Sequence, residues 1–137
     1  MIEVKHPDYP SHPVRSAQEQ AIHDQLIQDL AQRLRRRGYH DVKPNPGQEK
    51  NASVPCGASK TLWPDVVVKE GNRFILIFEV ETASTVDKGS ADQWEDYAKC
   101  VKDASFVLVV PKGKEVVAKE ILESRRIPYK EIMTYPF

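Results

Sequence analysis

Three carboxylates stand out in the stretch "WPDVVVKEGNRFILIFEVETAST", Trp63 to Thr85. Two apolar runs meet at Glu70-Gly71-Asn72. Asp65 opens the first, and Glu79 and Glu81 close the second. A sheet interior is a costly place for negative charge, so three such groups need a reason. Alternation along the second run places Phe74, Leu76, Phe78 and Val80 on one face and Ile75, Ile77, Glu79 and Glu81 on the other. With the turn centred on Gly71, Asp65 falls opposite Ile77, diagonal to Glu79 at a Cα separation of roughly 7–8 Å. A slip of one residue turns it to the other face.

Carboxylates gathered in a half-buried place repel one another, and at least one should hold its proton to higher pH. A divalent cation removes that conflict. Oxygen ligands on strands, with positions left open for water and a phosphate, suit Mg²⁺ or Mn²⁺. The alternative places the strand ends in solvent, where the charges guard a sheet edge.

The surrounding elements must position these groups. "SAQEQAIHDQLIQDLAQRLRRRG" has a helical period, with Ile22, Leu26, Leu30 and Leu34 as its stripe and Ala21, Ile27 and Ala31 widening it. Ser16 with Glu19 fits a capping box, and Gly38 fits a stop. The next segment is broken by Pro44, Pro46, Gly47 and Gly57, with room for one short strand near 39–43 or 52–56. "GSADQWEDYAKCVKDA" predicts a second helix capped by Ser90, with Trp94, Tyr97, Ala98 and Val101 on its apolar face. "SFVLVVP" predicts a buried strand, "GKEVVAKEILESRR" a third helix and "IPYKEIMTY" a last strand. Strand, helix, strand at this spacing implies parallel pairing. The expected fold is α/β, a mixed central sheet flanked by helices, in one domain over 1–137 with residues 1–15 as an extended N-terminal arm.

Composition sets the outer bounds. The chain has 137 residues, enough for one core, and 20 basic side chains balance 20 acidic ones. Overall charge therefore does not announce a nucleic-acid binder. Two cysteines, Cys56 and Cys100, exclude a disulfide-rich scaffold and are expected as free thiols. No stretch is long and apolar enough to span a membrane, and the start lacks the apolar block of a signal peptide, so a cytoplasmic protein is expected. The histidines lack metal-pair spacing, and His6 and His12 are expected in solvent.

The pairing of Pro64-Asp65 with Glu79-Val80-Glu81 at the end of an apolar strand resembles the PD-(D/E)XK nuclease superfamily. Its motif is Pro-Asp, a hairpin, then Asp/Glu-x-Lys. A second Pro-Asp, Pro7-Asp8, has no glutamate pair after it. The resemblance covers roughly residues 16–110 and implies a restriction-endonuclease-like αβββαβ core, here with a C-terminal αβ extension. Gln93 and Tyr97 match the Gln-x-x-x-Tyr of the RecB-type branch, and Glu19 falls where many members carry a glutamate in the first helix. Completion of capping boxes by Glu19 and Gln93, and a core role for Tyr97, are the structural alternatives.

The resemblance implies a metal-dependent nuclease, with DNA as the expected polymer. Asp65, Glu79, the Val80 carbonyl and Glu81 would form the Mg²⁺ or Mn²⁺ site, and Asp65, Glu79, Glu81, Gln93, Tyr97 and Glu19 the catalytic set. The pattern departs at one point, because Glu81 replaces the family lysine. Glu81 would then bind a second metal or take a proton from water, or Lys60, Lys88 or Lys99 would reach in, or catalysis would be lost. The alternative function is therefore a non-catalytic module of the same fold, binding nucleic acid or a protein. Phosphate contacts are sought at Arg35, Arg36, Arg37, Lys60 and Lys88, with Arg15, Arg33, Arg125 and Arg126 as further cations. Arg35–Arg37 also suit the negative pole of their own helix. A homodimer is common among such folds.

Overall fold

The computed structural model describes Glu3–Val4 by their backbone, Tyr9, and residues 12–45 and 53–137. His6, Pro7-Asp8, Pro46, Gly47 and Ala52 lie outside the described residues. Two short strands, β1 (Glu3–Val4) and β2 (Arg15–Ser16), pair antiparallel and lead into α1 (Ala17–Arg36). After α1 come β3 (Asp41–Pro44), β4 (Val54–Cys56), β5 (Lys60–Leu62), β6 (Val66–Glu70) and β7 (Arg73–Val80). Then follow α2 (Ala91–Lys99), β8 (Ser105–Pro111), α3 (Glu115–Ser124) and β9 (Glu131–Tyr135).

The central sheet is mixed and five-stranded, in the order β3-β6-β7-β8-β9. β3, β6 and β7 run antiparallel to their neighbours in turn, whereas β8 pairs parallel with both β7 and β9. The parallel pairs are bridged by α2 and α3, as the strand-helix-strand spacing required. Both positions considered for a short strand are used: β3 joins the sheet, and β4 pairs with β5 in a separate hairpin.

Two apolar layers sandwich the sheet. On one side, Ile27, Leu30, Ala31 and Leu34 of α1 pack on Val66, Val68, Leu76, Phe78 and Val80. On the other, Trp94 and Tyr97 of α2 and Ile121 and Leu122 of α3 pack on Val67, Ile77, Phe106 and Leu108.

The structure corrects the expected facing at two places. The buried stripe of α1 runs through His23, Ile27, Leu30 and Leu34, while Ile22 is exposed. Spacings of three and four, rather than a constant four, follow the 3.6-residue turn. A register shift between Val68 and Lys69 also exchanges two side chains near the turn, so that Phe74 packs with the α2 layer and Ile75 with the α1 layer. An extra residue in one strand has this effect because facing alternates with period two.

The cysteines and one histidine also depart from expectation. Cys56 and Cys100 form a disulfide across a sequence separation of 44. It joins the β4–β5 hairpin to the end of α2, against the expectation of free thiols. His12, expected in solvent, is buried, with Nδ1 against the Pro13 carbonyl.

Candidate functional site

Cap chemistry starts α1 one residue before Ala17. The Ser16 hydroxyl accepts from the Glu19 amide at 3.1 Å. The Glu19 carboxylate does not close a capping box; it accepts from the Ser84 hydroxyl at 2.6 Å. That bond and the Thr82 side chain hold its pKa below the usual value. One turn further, on the buried stripe, α1 places His23 rather than an aliphatic residue. Its ring Nε2–H donates to Asp65 Oδ2 at 3.2 Å.

The hairpin register places Val66 against Phe78 and Val67 against Ile77. Continuing it by one step sets Asp65 opposite Glu79, not opposite Ile77 and diagonal to Glu79. The turn closes with Glu70 opposite Arg73, one residue later than a turn centred on Gly71, and the bulge adds one more; the combined shift of two leaves Asp65 on the expected face and brings the two carboxyls closer. Asp65 Oδ2 also accepts the Val80 amide at 2.7 Å. Burial pushes the Asp65 carboxyl up, but the His23 charge and the hydrogen bonds from the Glu79 and His23 side chains prevail and hold it well below the carboxylate range. His23 responds in the opposite sense: burial pulls it down, and the Asp65 charge outweighs that and raises it. Glu79 is pushed well above its usual value by burial and by the negative charge of Asp65. The two carboxyls therefore titrate as a pair, with the proton favoured on Glu79 and the charge on Asp65.

Glu81 is almost wholly buried and faces a different partner. Its Oε1 lies 3.7 Å from an Arg15 nitrogen. Arg15 enters from β2 and also donates to the Val80 carbonyl (3.2 Å), the Thr82 hydroxyl (3.1 Å) and the Thr85 hydroxyl (3.3 Å). Burial raises Glu81 and Arg15 lowers it, leaving a pKa of about 7. Tyr135 of β9 closes this end by donating to the Glu81 carbonyl at 2.8 Å.

From α2, the Gln93 amide donates to the Tyr97 hydroxyl at 3.0 Å, and that hydroxyl donates to the Trp63 carbonyl at 3.4 Å. Both side chains are buried on the face of Ile77 and Glu79. Gln93 closes no capping box, because the Ser90 hydroxyl donates to the Thr85 carbonyl instead. Burial and the charges on Glu79 and Asp65 raise the Tyr97 phenol well above its usual value.

Among the described residues, three buried side-chain oxygens lack a hydrogen-bond partner: both carboxylate oxygens of Glu81, and Gln93 Oε1. Uncompensated buried acceptors beside an acid pair are what a bound cation or water would satisfy. The three carboxylates do not converge as tightly as a shared site would require. Among the described residues, the one trio of potential ligand atoms within 4.8 Å of one another is Cys56, Asp96 and Cys100. The Val80 carbonyl, expected to face a metal, accepts from Arg15. Asp65 and Glu79 lie opposite each other and interact as a pair, whereas Glu81 stands apart with Arg15.

The basic residues divide. Lys60 pairs with Asp96, Lys99 pairs with Glu95, and neither turns to the carboxylates. Lys88 is exposed in the turn after Thr85. Arg35, Arg36 and Arg37 are exposed at the far end of α1, roughly 20 Å along the axis from His23 at 1.5 Å per residue. Arg35 there donates to the Val42 carbonyl at 3.0 Å. The cation beside the acids is Arg15, which the sequence suggests only as a phosphate contact. His23 belongs to no motif, and sequence reasoning misses it. The available signal is its position four residues before Ile27, a titratable group on an apolar stripe.

Fold and site together define a mixed α/β protein with a buried centre of carboxyls, histidine and arginine at one end of its antiparallel hairpin. Compared with protein-family models, with curated proteins and with solved structures, the chain matches none. Among the described residues, no helix is long and apolar enough to cross a membrane.

Proposed function

We propose that this chain is a metal-dependent nuclease with a restriction-endonuclease-like core of the PD-(D/E)XK type, hydrolysing phosphodiester bonds of nucleic acid, with DNA as the first polymer to test. The observation that carries this reading is the pairing of Asp65 opposite Glu79 at the end of the hairpin, with Gln93 and Tyr97 on the same face. Order α-β-β-β-α-β, with β4–β5 inserted and an αβ unit appended, supports it.

Asp65 and Glu79 would hold Mg²⁺ or Mn²⁺, which when bound supplies Lewis-acid activation of a water and the phosphate. The residues of the chain set up the rest. His23 and the Val80 amide fix the orientation of Asp65, and the His23 charge favours its ionised form. Glu81, with a pKa of about 7, is suited to accept a proton from the attacking water near neutral pH. Arg15 holds Glu81 in place and offers the positive charge that the family lysine would bring. Gln93 Oε1, free of other partners, is available to accept from a water.

A second reading, a non-catalytic module of this fold, is favoured by two observations. Arg15 occupies the Val80 carbonyl, and Glu81 stands in the lysine position. Calorimetric titration with Mn²⁺, alongside nicking of a supercoiled plasmid, separates the two. Wild type is expected to bind metal and cut. Asp65→Asn and Glu79→Gln are expected to lose both, with cutting down at least about a hundredfold, the scale of removing one group that stabilises developing charge. Metal binding without cutting favours the module. Absence of metal binding removes the nuclease reading.

A further inference from the structure

We propose that Trp63 is a stacking platform for an unpaired nucleobase beside the carboxylate site, so that the substrate is single-stranded or frayed nucleic acid. This rests on the nuclease reading above and names its substrate class.

Position is the first support. Among the described residues, Trp63 is one of the few exposed large apolar side chains, at 37% exposure, and lies two residues before buried Asp65. Pro64 between them is itself buried, and a residue before proline is confined to extended backbone. The Trp63 carbonyl is held by the Tyr97 hydroxyl, and Tyr97 is held by Gln93. The backbone carrying the indole is therefore pinned by the two α2 side chains that share the face of Glu79. An aromatic side chain carried on a held backbone has few torsions to lose when a flat ligand covers it.

Charge is the second. Nucleic-acid affinity ordinarily comes from cations on phosphates. Here Arg15 is engaged with Glu81 and Lys60 with Asp96, and the Arg35–Arg37 block is roughly 20 Å away along α1. Acid groups dominate the site itself. Of the candidate phosphate contacts, Lys88 is left as an exposed cation after Thr85, and base–aromatic stacking is the second source of affinity on which binding can draw. A base inside a duplex is already stacked on both faces, so the indole has access only to an unpaired or end base.

The chain provides its own probe. It has two tryptophans, and Trp94 is fully buried, so quenching of emission by a ligand reports Trp63. Three 12-nucleotide ligands would be titrated with Ca²⁺ in place of Mg²⁺ to suppress cutting: oligo-dT, an abasic strand of equal charge, and a duplex. Anisotropy of a terminal dye gives affinity in parallel. Oligo-dT is expected to quench and to bind about ten- to a hundredfold tighter than the abasic strand. Trp63→Ala should erase that preference, and Trp63→Phe should keep most of it. Equal binding of oligo-dT and abasic strand, or an unchanged preference in Trp63→Ala, overturns the stacking role and leaves the nuclease reading standing. Tightest binding of the duplex overturns the single-strand preference. Absence of binding by all three ligands overturns both readings.

Discussion

His23 and Leu30 lie two turns apart on the same buried stripe of α1, and they face very different neighbours. Leu30 meets Val66, Val68, Phe78 and their neighbours in an apolar layer. His23 meets the Asp65 carboxylate. The same two strands serve both, apolar along their length and acidic at their end. Against Leu30, burial alone is favourable. Against His23, burial is favourable only because each charge has a partner, and Glu81 and Gln93 show where the pairing is incomplete. A fold that places unfinished polar groups beside a finished apolar layer holds them at a cost in stability, the usual sign of a functional centre.

Substitutions should separate these two regions. Leu30→Ala removes a fully buried side chain and should cost about 2–5 kcal/mol in chemical denaturation. It should leave Mn²⁺ affinity within a factor of about two, because α1 has to shift little around His23. A loss of metal binding as large as that of Asp65→Asn would break the comparison, making the apolar layer and the acidic end one unit.

pH should act on one region and not the other. His23 is raised, so its contribution is whole below about 6.5 and is lost as pH climbs through its folded value. Asp65 is lowered, so its contribution is present above its unfolded value of 3.8 and is lost only as pH falls through the depressed one. Glu79 and Glu81 are raised, which makes the folded chain bind protons that the unfolded chain has released. Stability then falls as pH rises from 4.5, and for Glu81 the fall continues through about 7. The melting temperature should therefore be highest at about pH 4 to 4.5 and several degrees lower at pH 8. Glu79→Gln should flatten that slope while removing metal affinity. Leu30→Ala should lower the whole curve without changing its shape. A slope unchanged in Glu79→Gln would mean that Glu79 is ionised in the folded chain.

The two regions were not equally legible in the sequence. "SFVLVVP" became β8 over Ser105–Pro111, since a continuous apolar run of strand length has few other fates. The acid pair could be placed on one face but not in register, because the shift at Val68/Lys69 depends on how the turn closes. His23 was hidden by a stripe phased from Ile22. A four-residue period drifts around the helix, and only the partner surface decides which edge of the stripe is buried. The Cys56–Cys100 bridge depends on a contact between a hairpin and a helix end 44 residues apart, to which no local pattern refers. Arg15 likewise comes from β2, outside every motif that named the site.

The smallest expected effect belongs to the Arg35–Arg37 block, and it tests where nucleic acid touches the chain. These side chains are exposed at the C-terminal pole of α1, where positive charge complements the helix carbonyls. Replacing Arg36 and Arg37 with Ala should cost about 0.5 kcal/mol or less of stability, as surface changes do. Arg35 is left in place because it also donates to the Val42 carbonyl. These arginines sit at the opposite end of α1 from His23 and Asp65, so affinity should fall by no more than about threefold. The salt dependence of binding decides the case. Each cation withdrawn from a phosphate lowers the slope of log affinity against log salt by roughly 0.7 for a single strand. An unchanged slope confines binding to the acidic end. A slope lowered by the equivalent of both arginines places the strand along α1, joining the far pole of the apolar layer to the site.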